Sequence, residues 1–109
     1  MGVDVVLVQV SKNGSSPRKR RVTVLEVISD CTDVFSGMCQ ESDTPMLQRV
    51  DPYGSLVLTA QQMDQFAQEV NLLSKRFKSA SHTSRLEQIT ALAYRCMNDS
   101  SLELHLEGD

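Results

Sequence analysis

Tryptophan is absent from this sequence, and only five of its 109 residues are aromatic, so aliphatic side chains must supply most of any core. No apolar run approaches the roughly 20 residues that a membrane-spanning helix requires. The first ten residues also lack the basic start and the long apolar stretch of a signal peptide. We therefore expect a cytoplasmic protein without a membrane partner, folded as one domain over residues 1–109.

Cysteine is scarce as well, with Cys31, Cys39 and Cys96 and no pair at CxxC spacing. An odd number leaves at least one thiol unpaired, which is typical of a reducing compartment. Cys96 falls on the apolar stripe of a predicted helix, so we expect it in the core. Cys31 and Cys39 lie in a predicted loop, where a bridge between them is the alternative to free thiols.

Motifs that would indicate catalysis or metal binding are also missing. The two histidines, His82 and His105, do not lie in a sequence context typical of a Cys–His catalytic pair. The cysteines and histidines are scattered singly, without the paired spacing of a tetrahedral metal site, and no glycine-rich phosphate loop occurs. The sequence thus predicts no catalytic residue, no metal and no cofactor. An enzyme with an unfamiliar site stays an alternative.

Valine-rich segments near the N-terminus predict an antiparallel β-hairpin, with strands over residues 2–10 and 20–29 joined by a polar loop. The first strand is apolar on both faces, which is typical of a central strand that is covered on both sides. Its two apolar sets are Val3, Val5 and Leu7 on one face, and Val6, Val8 and Val10 on the other. In the second strand, alternation places Val22, Val24 and Ile28 on one face, and Leu25 and Val27 on the other.

The second half of the chain predicts two short strands, two helices and a final strand. The short strands cover residues 46–50 and 55–58, and the final strand, 101–107, alternates leucine with charged or polar residues. Thr59 with Gln62, and Ser84 with Glu87, form capping boxes that open the two helices, separated by a break at 79–82. The predicted order is β-β-β-β-α-α-β. This is an α+β fold in which a mostly antiparallel sheet carries two helices on one face.

Charge is unevenly distributed, although the net charge is only −3. The irregular segment 30–45 is rich in acids, and it either covers the second face of the first strand or faces a partner. An acidic surface favours a basic protein partner. The basic block Arg18–Arg21 is too short, and too far from any aromatic residue, for a nucleic-acid module. We predict a partner-binding site that consists of Asp30, Asp33, Glu41, Asp43 and Tyr53.

The segment Leu47–Gly54, followed by Leu58 and a helix start at Gln61, resembles a group of small uncharacterised bacterial proteins. That group also tends to close with a strand ending in Gly-Asp, as Gly108-Asp109 does here. Some small proteins of this kind resemble immunity proteins, which bind and neutralise a toxin domain. The resemblance covers about the second half of the chain and transfers no catalytic residue.

Charge placement and this resemblance together predict a cytoplasmic immunity protein that blocks a basic toxin domain through its acidic loop. The second hypothesis is a self-associating structural or regulatory module that uses the apolar face of Val6, Val8 and Val10.

Overall fold

The computed structural model describes residues 2–12, 20–30 and 32–108. Four strands form one antiparallel sheet in the order β2-β1-β4-β3, and three helices pack against it. The elements are β1 (Val3–Lys12), β2 (Arg20–Ile28), α1 (Val34–Gln40), β3 (Ser55–Thr59), α2 (Met63–Arg76), α3 (Ala80–Met97) and β4 (Leu102–Gly108). Short 3-10 helices cover Leu47–Arg49 and Ala60–Gln62.

The predicted α+β class and antiparallel sheet are confirmed, whereas the predicted order and the number of helices are wrong in detail. Arg18, Lys19, Cys31 and Asp109, which entered the sequence predictions, lie outside the described residues. Within the described segments, no helix is long and apolar enough to cross a membrane.

Strands β1 and β4 form the centre of the sheet, and the central position of β1 is the one that its two apolar faces predict. Val3, Val5 and Leu7 of β1 are almost completely buried on one face, and the inward leucines of β4 lie beside them. Val5 pairs with Leu106 and Leu7 with Leu104 across the two strands. This double row of aliphatic side chains is the floor of the core.

All three helices pack on that floor. The first helix, α1, lies within the irregular acidic segment and buries Phe35, Met38 and Cys39 in the same core that α2 and α3 cover. Residues 30–45 therefore do not cover the second face of β1. Val8, which points to that second face, is the one buried apolar residue of the described segments that lies outside the core cluster.

The helix starts follow from capping. The predicted box of Thr59 and Gln62 is present, and it caps the 3-10 helix Ala60–Gln62 that leads into α2, since the Gln62 side chain accepts a hydrogen bond from the Thr59 amide at 2.8 Å. The predicted start of α3 at Ser84 is wrong, because Ser79 is the N-cap and its side chain accepts from the His82 amide. Serine is a good cap at either position, so residue type alone does not decide between them.

The predicted strand over 46–50 is a 3-10 turn instead. The buried carboxylate of Glu69 on α2 accepts the amides of both Met46 and Leu47 at 3.0 Å. Two amides that point to one carboxylate cannot also pair with a neighbouring strand, so the segment coils around Glu69. This contact spans more than twenty residues of sequence.

Strand β2 contains a bulge that changes its pattern of faces. The register runs from Leu7 opposite Glu26 to Val8 opposite Val24, so Leu25 is an extra residue without a partner. Beyond the extra residue, each side chain of the strand points to the face opposite the one that regular alternation would give it. Val22, Val24 and Val27 therefore share one face, and the predicted grouping of Val22 and Val24 with Ile28 is wrong.

Candidate functional site

The side of the sheet opposite the helices is the most distinctive surface of the described residues, and we call it the open face. The register of the four strands fixes its composition. From β2 to β3 it is formed by Val22, Val24 and Val27, then Val6, Val8 and Val10, then Glu103, His105 and Glu107, and finally Ser55, Val57 and Thr59.

Much of the valine on the open face is accessible to solvent. Val22, Val24, Val27 and Val57 are 47%, 58%, 51% and 45% exposed. Their neighbour Val8, opposite Val24 in the register, is only 2% exposed. Single exposed apolar residues are normal on proteins, but a contiguous patch is typical of an interaction surface.

A polar row on β4 divides the open face. The imidazole of His105 lies between two carboxylates, with Nε2 3.0 Å from Glu103 Oε1 and Nδ1 3.5 Å from Glu107 Oε1. The hydroxyl of Ser55 donates to Glu107 from the next strand. In residues 2–12, 20–30 and 32–108, no group of three histidine, cysteine or acidic side chains is arranged to hold a metal ion. The side chains of Glu103 and His105 are 16% exposed and that of Glu107 is 40% exposed, so Glu107 supplies most of the accessible charge of this row.

Asp30 is the one member of the predicted acidic site that is buried, at 2% exposure. Its Oδ1 accepts the amide of Phe35 at 2.9 Å, and its Oδ2 accepts those of Ser36 and Val3 at 2.9 and 3.0 Å. A carboxylate at the first amides of a helix satisfies donors that have no partner within the helix. Asp30 thus holds α1 against the start of β1.

Two of the other predicted acids lie at one groove. Asp33 and Glu41, at the two ends of α1, line a shallow groove of about 480 Å³ together with the rings of Phe77 and His82. Arg76 closes one side, because its Nη1 donates to the carbonyl oxygen of Glu41 at 2.6 Å. The groove is therefore of mixed charge, with an aromatic floor.

The last two predicted residues lie elsewhere. Asp43 is exposed in the loop after α1 and does not line this groove. Tyr53 is 71% exposed on the turn before β3, where its amide donates to Asp51 Oδ1 at 2.9 Å. The structure thus brings Asp33 and Glu41 together, and separates Asp30, Asp43 and Tyr53 from them.

The two described thiols are poor candidates for nucleophiles. Burial, together with the nearby Asp30, raises the pKa of Cys39 to about 12. Burial, with Glu103 and Asp99, raises the pKa of Cys96 to about 11. The reactive form of cysteine is the thiolate, which such pKa values disfavour at neutral pH. Both residues act as apolar core side chains, as the sequence predicts for Cys96.

Sequence reasoning identified the β1 half of the open face, since the second apolar face of β1 was predicted to need a cover. It missed the β2 half, because nothing in a run of valines marks the bulge at Leu25.

The chain matches no protein-family model, no curated protein and no solved structure. A function must therefore be argued from the surface itself.

Proposed function

We propose that the protein is a protein-binding module and that its partner docks on the open face. The observation that carries this proposal is the continuous valine surface of β1 and β2, with three valines about half exposed on β2 alone. Every helix of the described residues packs on the other side of the sheet. These valines therefore contribute little to the protein's own core.

The energetic argument favours binding as the role of these residues. Burial of a whole valine side chain contributes roughly 1.5–3 kcal/mol, so covering a half-exposed one contributes roughly 1 kcal/mol. Val22, Val24 and Val27 together supply a few kcal/mol that the fold does not use. A partner that removes this apolar area from water gains affinity from its burial.

The test uses a polar substitution on the open face and a matched one on the helical side. Val24→Thr keeps the shape and the strand preference but adds a hydroxyl, and Val24→Asp adds a charge. Leu72→Ser on α2 is the control, because Leu72 is similarly exposed at 51% but lies in the helical layer. The partner is captured from the producing cells with the unmodified chain, and its affinity for each variant is then measured.

We expect the affinity to fall at least about tenfold for Val24→Asp and less for Val24→Thr, with no change for Leu72→Ser. A partner that binds Val24→Asp as tightly as the unmodified chain would place the interface elsewhere. Circular dichroism of each variant separates lost binding from lost folding.

The immunity-protein hypothesis is the second candidate, favoured by the groove that Asp33 and Glu41 line. In this version a basic toxin domain of a bacterial competitor contacts the acids of α1 and the exposed Asp43. Charge reversal by Asp33→Lys with Asp43→Lys would then abolish neutralisation, whereas Val24→Asp would not. Toxin binding that is unaffected by the charge reversal rules this version out.

We place the protein in the cytoplasm. The described cysteines, Cys39 and Cys96, are free. Free thiols persist in reducing compartments, whereas oxidising ones favour disulfides.

A further inference from the structure

We infer that the occupant of the open face is a basic amphipathic helix of a partner protein. Its apolar side chains would lie over the valines of β1 and β2, and its lysines or arginines over the carboxylates of β4. This inference rests on the proposed function, since it names the partner of the same surface.

The first argument is that the open face is divided, parallel to its strands, into an apolar part and a polar part. Val6 is paired with His105 and Val8 with Glu103, so the apolar part of β1 borders the polar row of β4 in register, and Asp4, opposite Glu107, extends the acidic side onto β1. A ligand that covers this border must be apolar on one side and positive on the other. Complementary charge of this kind fixes orientation and speeds association.

The second argument disfavours a symmetric dimer in which the two copies stack with β4 over β4. If two copies stacked with β4 over β4, the Glu103 and Glu107 side chains of one copy would face those of the other. Like charges that are brought together at an interface oppose association by several kcal/mol. A basic partner meets the same carboxylates with opposite charge.

The third argument disfavours an added strand at the edge of β2. Strand addition needs an evenly spaced row of backbone donors and acceptors. The bulge at Leu25 interrupts this row in the middle of β2, and a bulge is one of the features by which proteins protect an edge strand from pairing. The accessible part of β2 is therefore its valine face.

The dimensions fit one helix. The valine area is two strands wide, roughly 10 Å at about 4.8 Å between strands. That width matches the roughly 10 Å diameter of an α-helix with its side chains. Residues 6–10 of β1 extend over roughly 14 Å at about 3.4 Å per residue, which nine or ten helical residues cover at about 1.5 Å each.

The experiment uses three synthetic helical peptides of about 16 residues with a fluorescent label. The first carries a leucine stripe with lysines along one flank, the second replaces those lysines by glutamates, and the third is a scramble of the first with the same charge. Binding to the full chain is measured by anisotropy. The protein variants are Val22→Thr with Val24→Thr, Glu103→Gln with Glu107→Gln, and Leu72→Ser as the control.

We expect the lysine peptide to bind at least about tenfold more tightly than the glutamate peptide and than the scramble. The double valine variant should lose that binding, and Leu72→Ser should keep it. The double glutamine variant should bind the lysine and glutamate peptides about equally, because glutamine keeps the side-chain shape but removes the charge.

Four results would overturn the inference. If both charged peptides bind equally and both depend on the valines, the open face binds partners without preference for a basic helix, and the proposed function survives. If the lysine peptide binds independently of the valines, the attraction is non-specific. A dimer in sedimentation velocity that dissociates in the valine variant makes a second copy the occupant. Binding of no peptide, while a captured partner still depends on Val24, means that the partner is not a helix of this kind.

Discussion

The backbone amide of Gly108 donates a hydrogen bond to the carbonyl oxygen of Gly54 at 2.7 Å. The end of the last strand is thereby joined to the turn 51–54, although more than fifty residues separate them in sequence. A Cβ atom on Gly108 would lie 2.4 Å from the carbonyl carbon of Pro52 and 2.5 Å from the carbonyl oxygen of Asp51. The turn 51–54 and the end of β4 at Gly108 are therefore one packing unit.

Gly108→Ala should destabilise the protein by about 1–3 kcal/mol, because the added methyl group meets backbone atoms that cannot rotate away. Gly37→Ala is the matched control, since a Cβ there has no atom within 4 Å, and alanine in a helix is favoured over glycine by about 0.5–1 kcal/mol. Urea denaturation measures both. If Gly108→Ala were as stable as Gly37→Ala, the turn 51–54 would have to accommodate the added methyl group.

Glu69→Gln should destabilise the protein by about 1–3 kcal/mol, because an amide offers one acceptor oxygen where the buried carboxylate offers two. The amides of Met46 and Leu47 should exchange with deuterium faster in this variant. Glu87→Gln on the exposed side of α3 is the control and should change neither quantity. Unchanged exchange at Met46 and Leu47 would show that Glu69 does not hold this turn.

Asp30→Ala should cost about 3 kcal/mol, because three backbone amides lose their acceptor in a buried place. Asp43→Ala should cost almost nothing, since Asp43 is exposed. Thermal unfolding of the two variants distinguishes them. A stable Asp30→Ala protein would contradict the structural role and return Asp30 to the predicted binding site.

Alkaline pH should destabilise the protein through its buried thiols. The pKa of Cys39 is raised from an ordinary 9.0 to about 12 in the folded state, so above pH 9 the unfolded chain releases a proton that the folded chain retains. Its stabilising contribution is full below pH 9 and is lost as the pH rises towards 12. The slope from this thiol reaches at most about 1.4 kcal/mol per pH unit.

The measurement compares the free energy of unfolding of the unmodified chain and of Cys39→Ala at pH 7, 9 and 10.5. The variant starts less stable because of its cavity, but its stability should fall less steeply above pH 9. Parallel curves for the two proteins would mean that the thiol ionises equally in both states.

Local patterns predicted the centre of this fold correctly. Alternation alone placed Val3, Val5 and Leu7 inward, and a capping box at Thr59 marked the start of the 3-10 helix that leads into α2. These features depend on neighbouring residues only, so a short stretch of sequence contains them.

The errors come from contacts that a local pattern does not contain. The turn at Leu47–Arg49 depends on Glu69, which belongs to another element. Likewise, an aspartate that follows a strand has the sequence pattern of an exposed loop residue. Only the fold shows that Asp30 is buried and accepts the first amides of α1. The sequence pattern therefore predicts Asp30 in a surface binding site, whereas in the structure Asp30 is a buried hydrogen-bond acceptor.

The extra residue in β2 has a consequence for how this protein can evolve. If β2 ran past Leu25 with regular alternation and no bulge, Leu25 and Val27 would share the open face, and Val22 and Val24 would turn toward the helical side. The apolar surface thus depends on the bulge as much as on the composition of the strand. Deletion of Leu25 would make the alternation of β2 regular and leave Val22, Val24 and Val27 on one face, because each would then be two residues from the next, so relatives with a gap at this position would keep the surface.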